Sequence, residues 1–157
     1  MIDVVNVQRK VKIDLASIRK YIKQIEAKVD ELNGRTFSVA FVSDGRMKDL
    51  NSTFRGKVST TDVLSFPMSE PPVSAVGRSD DSTNWPPAYA GGSDFLGDIV
   101  ISAQQAERQA KENKLSLESE IEQLILHGIL HLCGYDHETD SGEMNSRELE
   151  LRELLDI

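Results

Sequence analysis

A single cysteine, Cys133, in a chain of 157 residues excludes an intrachain disulfide. Long apolar runs are missing too, and none approaches the roughly 20 residues that a membrane-spanning helix needs. Proline is absent from most of the chain, since all five prolines fall between residues 67 and 94, so helical and strand periodicities run uninterrupted elsewhere. The opening MIDVVNVQRK lacks the charged-then-apolar order of a secretory signal, and a cytoplasmic protein with no membrane partner is expected. At this length one domain over residues 1–157 is expected, its core drawn from the 39% of residues that are hydrophobic.

The net charge of -8 is unevenly divided. Residues 1–57 carry 12 Lys+Arg against 7 Asp+Glu, whereas residues 58–157 carry 6 against 19. A basic face holding Arg46, Lys48, Arg55 and Lys57 suits a phosphate backbone, while the acidic remainder limits loose binding elsewhere. For Lys20, Lys23 and Lys28 a solvated helix face is an equally good reading.

Hydrophobic spacing predicts a strand over Ile2–Val7 and then a helix capped by Asp14, with Leu15, Ile18, Ile22, Ile25, Val29 and Leu32 on one face until Asn33-Gly34 stops it. Phe37, Val39 and Phe41 alternate as a half-buried strand. A short helix over Asp44–Thr53 turns Met47 and Leu50 inward, and Arg55 follows in a loop leading to a strand over Asp62–Phe66. Residues 67–94, rich in Pro, Ser and Gly, read as a long loop in which Trp85 and Tyr89 either pin the loop to the domain or stack on bases. A strand over Phe95–Ile101, a helix over Ala103–Asn113 and a helix opened by a Ser119–Glu122 capping box follow. The last helix runs over Glu143–Leu155, with Met144, Leu151, Leu154 and Leu155 directed to the core. The order predicts an α/β (α+β) fold, a single layer of mixed sheet of about four strands packed with about five helices, in which the two loop-joined strands pair antiparallel.

All three histidines lie within His127-Gly-Ile-Leu-His131-Leu-Cys-Gly134-Tyr-Asp-His137. On a helix, His127 and His131 stand about 40° apart on one face, separated by roughly 6 Å of rise, so their imidazoles converge on one ion. Gly134 suits a left-handed helix end that lets the chain turn back and deliver His137 as a third nitrogen. Three protein ligands leave one position open, which marks a catalytic rather than a structural zinc. Nickel or copper would bind the same imidazoles, so the metal is less well specified than the site. Cys133 reads as a packed thiol rather than a fourth ligand. The spacing also matches the zincin pattern HExxHxxGxxH, but Gly128 stands where that pattern needs a glutamate as general base. The helix is zincin-like in its metal ligands and not in its base. Its apolar neighbours Ile121, Leu124, Ile125, Ile129 and Leu130 imply burial, with the histidine face against the sheet.

Taken whole, HGILHLCGYDH resembles the signature of the YbeY family of bacterial metal-dependent endoribonucleases that mature ribosomal RNA. Asn51-Ser-Thr-Phe54-Arg55-Gly-Lys57, followed by Thr61-Asp62-Val-Leu-Ser-Phe66-Pro67, resembles the family's arginine-containing segment and the strand after it. Leu96-Gly97-Asp98-Ile-Val-Ile101 resembles its next strand. The resemblance implies one zinc held by His127, His131 and His137, with Arg55 as the cationic residue that stabilises charge on phosphate. It implies cleavage of single-stranded RNA near the 3′ end of the small-subunit ribosomal RNA, and a part in ribosome quality control. The implied partners are ribosomal RNA, the small subunit, a small-subunit platform protein and an Era-type GTPase.

Asp136 reads as a residue that orients a histidine N–H or caps a turn, and Tyr135 either touches substrate or packs beneath the metal. Asp62 and Asp98 read as ordinary strand-end residues. A ribosome assembly factor with a structural zinc, and a zinc peptidase with its base drawn from elsewhere, are the competing functions.

Overall fold

A computed structural model describes residues 3–56, 61–67, 95–136 and 140–157. The expected loop at 67–94 with Trp85 and Tyr89, as well as Lys57 and His137, lies outside them, except for Pro67, which ends a strand. The elements are β1 (Asp3–Asn6), α1 (Leu15–Lys28), β2 (Thr36–Val42), α2 (Asp44–Arg55), β3 (Val63–Pro67), β4 (Phe95–Ser102), α3 (Ala103–Glu112), α4 (Leu117–Leu132) and α5 (Glu143–Leu155). The four-stranded sheet has the order β1-β2-β4-β3. β1 and β4 run parallel to β2, and β3 pairs antiparallel with β4, as expected from the sequence. The expected mixed sheet with five helices is what the chain forms. No helix among the described residues is long and apolar enough to cross a membrane.

Polar caps set where the helices begin. Asp14 accepts from the backbone N–H of Ala16 and Ser17, as expected. α4 departs from expectation, because Ser116 takes the N–H of Ser119 and starts the helix before the predicted Ser119–Glu122 box. α1 is shorter than its apolar spacing suggests. It closes at Lys28, Val29 turns extended, and a 3-10 turn over Asp30–Leu32 carries the chain to left-handed Asn33. Val29 and Leu32 still reach the core, which is why the spacing looked continuous.

β2 is buried on both faces rather than half-buried, since it lies inside the sheet between two layers of helix. Phe37, Val39 and Phe41 join Ile99 and Ile101 in a core completed by α1, α4 and α5. On the opposite face Val42, Val100 and Leu64 pack with Met47 and Leu50 of α2. β3 is the edge strand that both layers share. Its Phe66 meets Phe54 of α2 edge-to-face at 5.1 Å between ring centroids, and its Ser65 hydroxyl donates to the Gly128 carbonyl of α4 at 3.3 Å. α5 matches its predicted bounds and buries Met144, Leu151 and Leu155, but Leu154 is 51% exposed and is not a core residue.

Candidate metal centre

The apolar residues around α4 hold it between the sheet and the other helices, and two histidines project from the same stripe. Between them Gly128 packs on the sheet, where a Cβ would stand 3.0 Å from the Ile99 side chain. His127 and His131 are half-buried and turned toward α5 and the turn after α4.

The two imidazoles meet edge-to-face, with Nε2 of His131 3.2 Å from Nε2 of His127. The opposite nitrogens are engaged. His127 Nδ1 lies 2.9 Å from Glu148 Oε1, and His131 Nδ1 lies 3.1 Å from the Tyr135 carbonyl oxygen. A carboxylate and a carbonyl only accept, so each Nδ1 carries a proton and Nε2 is the nitrogen of each ring that can offer a lone pair. Two lone pairs facing one another across this gap repel unless positive charge sits between them. Tetrahedral zinc with Zn–N bonds of about 2.0–2.1 Å places its nitrogens roughly 3.3 Å apart. The observed separation fits such an ion. Among the described residues no third ligand completes a metal group, and His137 lies outside them.

A second set of contacts fixes the turn that follows. Arg147 grips Glu31 through Nε at 2.7 Å and a terminal nitrogen at 2.9 Å. Tyr135 donates its hydroxyl to the same carboxylate at 3.0 Å. Arg147 beside it holds the Glu31 carboxyl down at about 2 against the opposing effect of burial. The Tyr135 hydroxyl is thus held by Glu31. The Cys133 thiol points to the Glu31 carbonyl at 3.7 Å, and burial pushes its pKa up, consistent with a packed thiol. For His127 the carboxylate at the ring N–H comes from Glu148 on α5.

Sequence reasoning missed Glu148, although it left a signal. Met144, Glu148, Leu151 and Leu155 recur at helical spacing, and all four are buried, so a carboxylate occupies the apolar stripe of α5. Burial alone raises its pKa, but His127 and Arg152 together outweigh that and hold it below the ordinary carboxylate range.

Arg55 is the last residue of α2, not part of a loop, and is exposed beside the left-handed cap Gly56. A cation is favoured there by the helix dipole. The helix it ends, α2, packs on the face of the sheet opposite α4. The common neighbour is β3, which touches α2 through Phe66 and α4 through Ser65.

The sequence profile described as Endoribonuclease YbeY matches residues 3–156. The chain belongs to the YbeY family. An endoribonuclease YbeY of Thermodesulfovibrio yellowstonii is 36% identical over 170 residues, covering 99% of this chain and 96% of the relative. That of Aquifex aeolicus is 45% identical over 120 residues, covering 76% of this chain and 68% of the relative. A solution structure of a Thermotoga maritima protein matches with a TM-score of 0.61 and 28% identity, over 99% of this chain and 89% of that one. Within this YbeY-family chain, Gly128 gains a structural reason for departing from the zincin glutamate. A side chain there would enter the apolar packing at Ile99.

Proposed function

We propose that this chain is a zinc-dependent endoribonuclease of ribosomal RNA maturation, working in the cytoplasm on single-stranded RNA near the 3′ end of the small-subunit RNA. The observation that carries the metal reading is the 3.2 Å approach of two Nε2 atoms whose rings are oriented by acceptors at Nδ1. His127, His131 and His137 would hold the ion. When bound, zinc would supply Lewis-acid polarisation at the scissile phosphate. The family relatives, named as endoribonucleases, support RNA as the substrate.

Arg55 is assigned to the phosphate, because its planar guanidinium can donate to two phosphate oxygens at once. Its place at an exposed helix end beside the shared edge strand leaves it accessible to a chain crossing that edge. Ribosomal RNA and the small subunit, with a platform protein and an Era-type GTPase, are the proposed partners. Gly128 disfavours the peptidase alternative, since the usual base position faces Ile99.

The test compares cleavage of a labelled ribosomal RNA precursor by zinc-loaded wild type, His127→Ala and Arg55→Lys, each checked for folding and metal content. Cleavage is expected to vanish in the first variant and to fall at least tenfold in the second. Equal cleavage by all three would remove both assignments. Tight RNA binding without cleavage by wild type would favour an assembly factor.

A further inference from the structure

The contact that α5 makes with His127 has a geometry that ion pairing alone does not require. Glu148 is buried among Met144, Leu151 and Leu155. Its two oxygens are divided between two partners, Oε1 facing His127 Nδ1 at 2.9 Å and Oε2 facing an Arg152 terminal nitrogen at 2.5 Å. The i,i+4 pair with Arg152 lies within α5 and would hold the helix together without help. What the arrangement adds is direction. With one oxygen committed to Arg152, the other is fixed in place as an acceptor for the imidazole.

We propose that Glu148, held by Arg152, is a positioning residue for metal capture that fixes His127 as the Nδ1–H tautomer with Nε2 turned toward His131. An imidazole free to rotate or to exchange tautomers would present the wrong nitrogen, or a proton, to an incoming cation part of the time. The carboxylate suppresses those states before the metal arrives and makes the ring a stronger donor once it is bound. The inference rests on the reading of His127 and His131 as ligands. It extends the site to a helix outside the histidine motif.

Zinc affinity is measured by chelator competition on full-length metal-free wild type, Glu148→Gln, Glu148→Ala and the exposed control Glu150→Ala. Long-range proton–nitrogen spectra of the metal-free proteins report the His127 tautomer. The wild type is expected to show the proton on Nδ1. Glu148→Ala is expected to weaken zinc about 10- to 100-fold and to mix the tautomers, while the control changes neither. Glu148→Gln keeps the shape and a neutral acceptor, so a smaller loss is expected.

A wild type with the proton on Nε2 of His127 would overturn the proposal even if both Glu148 variants failed to fold. So would folded Glu148 variants that bind zinc within twofold of wild type. A wild type that binds no zinc would instead defeat the metal reading on which the proposal rests. The two failures are thereby separated.

Discussion

Asp98 is 4% exposed in β4, and the Ser38 hydroxyl donates to it. Burial raises its pKa from the ordinary 3.8 to about 6, and the Ser38 hydrogen bond opposes only part of that. The folded state therefore holds this proton more tightly than the unfolded chain, so stability falls as pH rises between those two values and stays lower above them. Asp98→Asn is expected to gain about 1–3 kcal/mol over wild type at pH 8, with the difference closing near pH 4. Urea unfolding of both proteins across that range checks this, and a pH-independent difference would refute the titration account. Glu31 has the opposite sign. Its pKa is lowered to about 2 from 4.5, so its stabilisation is present above the higher value and is lost as pH falls toward the lower one. Arg147→Met is expected to cost about 1–3 kcal/mol near neutral pH, read as a lower urea midpoint. The sequence misled at Asp98, which reads as a strand-end residue beside Gly97 but pairs with Ser38 and Phe66 inside the sheet. Partners this far away in sequence leave no local signal.

Among the elements, β4 and α4 owe their close approaches to glycine. At Gly97, with φ at 147°, a Cβ would stand 2.2 Å from the Phe66 carbonyl oxygen and 3.0 Å from Leu132. Gly97→Ala is expected to lose several kcal/mol or fail to fold. Gly128→Ala meets only side-chain atoms of Ile99 at 3.0 Å and beyond, and is expected to cost about 1–3 kcal/mol by overpacking. Thermal melts of the two variants should keep that order. The elements themselves were legible wherever periodicity or caps were local, as at Asp14 and over the whole of α5. The half-buried reading of β2 failed because alternation in Phe37, Val39 and Phe41 does not reveal that α2 covers the other face. The histidine pair was legible from spacing alone. Glu148 and the Glu31–Arg147 grip were not, since each joins segments far apart in the chain.

For the molecule as a whole, metal occupancy and stability are expected to be linked, because α4 and α5 both contribute to the histidine arrangement. An ion that binds only the folded state stabilises it by about 2.7 kcal/mol at a hundredfold excess over Kd. Adding zinc to the metal-free chain should therefore raise its melting temperature, and a chelator should reverse the rise. An unchanged melting temperature would argue against a site formed by the fold. The mixed sheet and its helices followed from element order, whereas the assignment of layers did not. Neither strand nor helix patterns told that α2, which Arg55 ends, and α4, which carries the histidine pair, cover opposite faces of the sheet.

The separation of 21 residues between His127 and Glu148 also has a temporal meaning. During synthesis the histidine pair leaves the ribosome before the carboxylate that orients it. A nascent or truncated chain that ends before α5 carries His127 without the carboxylate at its Nδ1. On the proposed metal reading, zinc uptake is expected to be a late event, coupled to the docking of α5 rather than to the appearance of the histidines.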